Sequence, residues 1–156
     1  MSREFFGIDF DFDGNHEMAR DSLKEIILGD DCEFSWNKRA INLLDVVIDA
    51  LVALKKPNGS NITLRMIYDS LSLEGLVNLG FELRKNEVNA SKIAPIDEYL
   101  GNLPGFYVVD GKYSEINDTA RRQQGYISSI ILNSINHLAN QMRKDLPSLD
   151  FFESTY

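Results

Sequence analysis

Residues 35–56, SWNKRAINLLDVVIDALVALKK, leave the chain few ways to fold. The interior polar residues Lys38, Asn42, Asp45 and Asp49 are spaced four, three and four apart. On a helix that spacing draws one narrow polar stripe, and every other direction is apolar. Such a helix must be covered on most sides, so the pattern predicts the central helix of a bundle. Ser35 fits the N-cap, and Pro57-Asn58-Gly59 stops the helix with Lys55 and Lys56 in its last turn.

The other segments supply that cover. Asp13 or Asn15 caps a helix running to about Leu28, with Met18, Leu23, Ile26 and Ile27 inward. Thr63 caps a short helix, LRMIYDSL. Ser72 opens a longer one, LEGLVNLGFELRK, which offers Leu73, Leu76, Val77 and Leu83 to the core. Pro95 suits the first turn of PIDEYLGNL, which Pro104-Gly105 ends. At residues 106–113, FYVVDGKY sets an Asp-Gly turn between β-formers, giving either a small hairpin or a loop with anchoring aromatics. Asn117 or Asp118 opens the last helix, which Pro147 closes. Its apolar line is Ile127, Ile131, Ile135, Leu138 and Met142, expected to pack antiparallel on the central helix. Its other face is rich in amides: Gln123, Gln124, Ser128, Asn133, Asn136, Asn140 and Gln141. The chain thus reads as an all-α bundle of about six helices. An acidic extended arm spans residues 1–14, the helical domain 15–147 and an aromatic tail 148–156.

The charge of −8 is unevenly placed. Residues 9–33 hold nine acids and two bases, and residues 34–156 are nearly neutral. Neither part has the basic footprint of a free-standing duplex-DNA binder. One cysteine, Cys32, excludes an intramolecular disulfide or multi-cysteine zinc site. The first residues show no basic segment followed by an apolar run, so no signal peptide is expected, and no stretch has the length of a membrane span.

Catalytic patterns are missing from the sequence. It has no Walker A, G-x-G-x-x-G or G-x-S-x-G motif, and His16 and His137 lie far apart. Asp9, Asp11, Asp13 and Gly14 match the opening of an EF-hand loop, but Arg20 stands where its bidentate glutamate belongs. These three carboxylates are a weak metal candidate, and a solvated or partner-docked arm is the plainer reading. Of the basic doublets, Arg121-Arg122 stands out, because a helix's first turn disfavours cations. Antiparallel packing would bring Lys55 and Lys56 to the same end as Arg121 and Arg122, making these four the binding candidates.

Four segments carry a family resemblance: Trp36-Asn37-Lys38-Arg39-Ala40 (W-x-x-R-A), IYDSLSLEGLV at residues 67–77, YLGNLPGF at residues 99–106, and Gln124-Gly125-Tyr126. In this order they resemble the all-alpha domain of type IV coupling proteins, the TraD/TraG-like ATPases. The likeness is strongest to the Dot/Icm and IncI-plasmid branch. The third segment is similar to that branch's Y-L-x-x-L-P-G-aromatic and the fourth to its Q-H-G-Y, with Gln124 in place of histidine.

The resemblance implies a domain without catalytic residues or cofactors, inserted in a homo-hexameric ATPase that supplies ATP and Mg. That parent would be anchored in the bacterial inner membrane. The domain, a monomer when isolated, would face the cytoplasm and recognise relaxosome or secreted-protein substrates or adaptor proteins. Direct DNA binding by the same domain, or an acidic calcium-responsive helical protein, are the alternatives.

Overall fold

The computed structural model describes residues 15–29, 34–55 and 61–144. Among them six helices and one two-stranded sheet follow in order: α1 (His16–Leu28), α2 (Phe34–Leu54), α3 (Leu64–Asp69), α4 (Leu73–Lys85), α5 (Ala90–Gly101), β1 (Val108–Val109), β2 (Lys112–Tyr113) and α6 (Asp118–Lys144). The fold is all-α. The acidic arm, including Asp9, Asp11 and Asp13, lies outside the described residues, as do Lys56 and the aromatic tail.

The helix starts are set by side-chain caps. Asn15, Thr63 and Ser72 accept the backbone N–H of Met18, Met66 and Gly75 at 3.1, 3.1 and 2.9 Å. α2 begins at Phe34, so Ser35 lies inside its first turn and is not the cap. α5 starts at Ala90 under an Asn89 cap, five residues before Pro95. Pro95 therefore sits inside the helix, where its ring removes one N–H of the ladder. The hairpin forms, with Val108 opposite Tyr113 and Val109 opposite Lys112. Its turn residues Asp110 and Gly111 have φ of 50° and 77°, the pair of positive angles a two-residue type I′ turn requires.

α2 is the core. Ala40, Leu43, Leu44, Val46, Val47, Ile48 and Ala50 are buried, and α1, α4, α5 and α6 all pack on it. Lys38 and Asn42 of its polar stripe are exposed, and the two acids of the stripe are held by α1. Arg20 of α1 reaches Asp45 at 2.6 Å and Asp49 at 2.7 Å, and Lys24 reaches Asp45 at 3.0 Å. α1 thus docks by two forces: Ala19, Leu23 and Ile27 enter the core while its cations grip the stripe. Met18, expected inward, is exposed, because Ala19 takes the inward position on that turn.

These ion pairs and the short α1–α2 connection make the two helices antiparallel. The relation of α2 to α6 is the reverse of the expected one. Trp36, near the start of α2, meets Tyr126, near the start of α6, edge to face with ring centroids 6.2 Å apart. Ile131, Ile135 and Leu138, further along α6, are buried, so α6 continues beside α2 and α1 rather than past them. α2 and α6 run parallel. Only a short loop forces antiparallel neighbours, and here α3, α4, α5 and the hairpin intervene. The start of α1 and the ends of α2 and α6 share one pole; Trp36 and Tyr126 mark the other.

The hairpin is fastened to α4 and α5 through one half-buried phenol. The Tyr113 hydroxyl donates to Asp97 at 2.7 Å and accepts from Arg84 at 2.8 Å, and Arg84 also pairs with Asp97. The Tyr113 ring lies over Gly80, where an added Cβ would stand 2.0 Å from its hydroxyl oxygen. A glycine inside a helix costs about 1 kcal/mol relative to alanine; here it makes room for the ring.

Two outcomes are expected. Arg20→Met, which keeps the stem and drops the fork, lowers stability by about 1–2 kcal/mol in urea unfolding, discounted for the exposure of Asp49. Burial, aided by the bond to Asp97 and opposed by Arg84, pushes the Tyr113 phenol up to about 12. A phenol raised in the fold stabilises fully below its unfolded value near 10, and that stability is lost as pH rises from about 10 to about 12. The thermal midpoint should fall across that window, and the fall should be shallower in Tyr113→Phe.

Candidate functional site

At the Trp36–Tyr126 pole the chain builds a groove from three directions. α5 ends at Gly101, capped by Asn102, and the following turn drives Leu103 and Phe106 into the core. Asn117 ties this turn to α6: its amide donates to the Gly105 carbonyl, and its Oδ1 accepts the Ala120 N–H at 2.9 Å. From the third side, α2 presents Arg39, whose guanidinium lies 5.0 Å above the Trp36 ring.

Beneath the groove two buried polar groups satisfy each other. The Tyr99 hydroxyl of α5 donates to Gln124 Oε1 of α6, and Gln124 Nε2 donates to the Leu71 carbonyl at 2.7 Å. Gln124 is 1% exposed and Tyr99 7%. Burial raises the Tyr99 pKa beyond the ordinary phenol range, while the bond to Gln124 and the charge of Arg39 oppose that shift. Tyr99 is therefore a fixed, neutral donor. This junction joins α5, α6 and the α3–α4 corner.

The groove above encloses about 290 Å³ and is lined by Arg39, Asn42, Tyr99, Asn102, Leu103, Pro104, Gln123 and Ile127. Its lining holds one cation, three amides and no carboxylate. A second hollow, of about 440 Å³, lies between the end of α1 and the middle of α6, where Glu25, Asn133 and His137 meet Ile26, Ile27 and Ile130. Among the described residues no group of His, Cys, Asp and Glu is arranged to hold a metal ion.

Of the four binding candidates, the three described ones, Lys55, Arg121 and Arg122, do not gather. Lys55 is exposed at the end of α2, about 28 Å along that helix from Trp36; Arg121 lies at the Trp36 end. Arg121 is a structural cation: its Nε and Nη2 donate to Glu74 of α4 at 3.1 and 2.7 Å, and Nη1 reaches Asp118 at 3.4 Å. The hydrogen bond from Arg121 is the first cause holding the Glu74 carboxyl below its usual range. An acid on α4 thus offsets the cation at the start of α6. Arg122 is exposed, with no carboxylate partner among the described residues.

The sequence marks Arg39 and Gln124 only as members of the resembling segments, not as groove and junction residues. Gln124 was assigned to the polar amide face, yet Ala120 and Gln124 continue the apolar line of Ile127, Ile131 and Ile135 backward at steps of three and four. That register was the available signal. Ser128 is also buried, its hydroxyl bonded to the Gly125 carbonyl at 3.3 Å. Arg39 carried no such signal, because its value depends on where α5 ends.

Comparison with the models of known protein families, with curated proteins and with solved structures finds no match.

Gln124→Leu strands the Tyr99 hydroxyl and the Leu71 carbonyl, and should cost about 2–4 kcal/mol in chemical unfolding. Neutral histidine offers one acceptor and one donor, as the site requires. Gln124→His should therefore retain most of the stability near pH 8 and lose it as the imidazole protonates below about pH 6.5.

Proposed function

We propose that this chain is a recognition domain of a type IV coupling protein, receiving relaxosome components, secreted proteins or their adaptors for a hexameric ATPase. The observation that carries the reading is the Tyr99–Gln124–Leu71 junction. Three of the four segments behind the resemblance supply its atoms, and Trp36 of the fourth packs on Tyr126 beside it. Segments far apart in sequence that carry the likeness thus meet at one place in the fold. The one departure at this point, glutamine for histidine, keeps the donor and acceptor that the junction uses.

A second support is topological. An inserted domain needs its entering and leaving strands close together. The start of α1 and the end of α6 lie at one pole, and the groove lies at the other. The domain contributes binding and no chemistry, and ATP and Mg belong to the parent. Among the described residues no helix is long and apolar enough to cross a membrane, which accords with a domain held away from the bilayer.

The exposed Arg122 and Tyr126, with Arg39 nearby, favour one other reading, direct contact with single-stranded DNA by stacking and charge. A gel-shift series over salt separates the two, since phosphate contacts give a steep salt dependence. The main test replaces residues 15–144 in the parent ATPase by a short flexible linker. Nucleotide hydrolysis should persist and transfer of DNA or protein should stop. Undiminished transfer, or ATP turnover by the purified 156-residue chain, would overturn the reading.

A further inference from the structure

The groove of Arg39 holds a side chain set for a partner that the described structure does not supply. Arg39 is exposed, has no carboxylate within reach among the described residues, and is stacked on Trp36. Arg20, Arg84 and Arg121, by contrast, pair with acids between helices or across one turn. Stacking limits the conformations of Arg39 before anything binds, so less side-chain entropy is lost on pairing.

We propose that this groove binds an extended peptide segment of a partner protein through a single carboxylate held by Arg39. The proposal deepens the reading of the chain as a recognition domain and rests on it. A guanidinium presents a planar fork that matches a carboxylate with two parallel hydrogen bonds. Around it, Asn42, Asn102 and Gln123 each offer a donor and an acceptor. Peptide backbone presents donors and acceptors in alternation, which is what such amides complement. Leu103, Pro104 and Ile127 give the groove an apolar wall, and Tyr126, 57% exposed, extends an aromatic face at its rim. The volume, about 290 Å³, is at the lower bound for ligand pockets, near 300 Å³; it suits a short stretch of chain and one anchoring side chain.

The charge distribution selects peptide over nucleic acid. A polyanion needs several cations along its path, and the groove lining has one. The chain as a whole carries −8 and repels a long anion, whereas one carboxylate meets a lining free of acids.

The test is a titration of the isotope-labelled full chain, followed by amide NMR, which reads binding up to millimolar dissociation constants. The probes are an N-acetylated, C-amidated hexapeptide of alternating leucine and glutamate, its leucine–glutamine counterpart, and an oligothymidylate. The glutamate peptide should shift the side-chain amides of Asn42, Asn102 and Gln123 and the Arg39 Nε–H, and bind at least tenfold more tightly than the glutamine peptide. Arg39→Gln, an exposed substitution, should erase that tenfold preference, and Lys55→Gln should preserve it. Equal binding of the two peptides, no shifts at these groups, an unchanged preference in Arg39→Gln, or stronger shifts there with oligothymidylate overturns the proposal. Should the linker replacement in the parent still stop transfer while the groove stays empty, the recognition reading stands and the groove assignment alone fails.

Discussion

The structure depends on the need of α2 to be surrounded. A helix with apolar groups in nearly every direction has no stable place at a surface, so the rest of the chain is arranged as its wall. α1, α4, α5 and α6 each bury a face on it. On the one direction that faces water, the acids Asp45 and Asp49 are paired with Arg20 and Lys24, and Lys38 and Asn42 stay exposed. That pairing ties hydrophobic and electrostatic terms together. Arg20 is 13% exposed in its side chain, so its charge is tolerable only because three carboxylates, Glu17, Asp45 and Asp49, accept from it.

Most of the scaffold was legible in the sequence, because local rules decide it. Thr63 and Ser72 cap where their side chains can accept a backbone N–H, the Asp-Gly pair turns the hairpin, and the three–four spacing of Ile127, Ile131, Ile135 and Leu138 marks a buried face. What was illegible depends on contacts distant in sequence. The parallel course of α2 and α6 follows from four intervening elements. The placement of Pro95 inside α5 follows from Asn89, whose cap starts the helix earlier than the proline suggests. Met18 lost the inward position to Ala19, since a small residue lets α1 approach closely.

The candidate site was less legible than the fold for a related reason. Charge doublets are visible in a sequence, and their partners are not. Arg121 is an anomaly at a helix start in the sequence alone and is balanced in the fold by Glu74 opposite it, and Lys55 belongs to the other pole. Gln124 shows the converse: a polar residue counted with the surface amides is among the most buried groups, because Tyr99 and Leu71 complete its hydrogen bonds. A buried amide of this kind limits which helices can meet, since a shift of α6 by one residue would leave Tyr99 and the Leu71 carbonyl unpaired, and a shift of α5 would strand Tyr99.

The pole shared by the start of α1 and the end of α6 also has a mechanical meaning. Any body joined to the start of α1 and the end of α6 grips the bundle at one extremity and leaves the Arg39 groove at the other, about 22 Å away along α2. Parallel helices cemented over their length behave as a rod, and rods amplify. A tilt of about 10° at the gripped extremity carries the groove through roughly 4 Å, most of one turn of helix. A small hinge movement beneath the domain would thus become a displacement of whatever the groove holds.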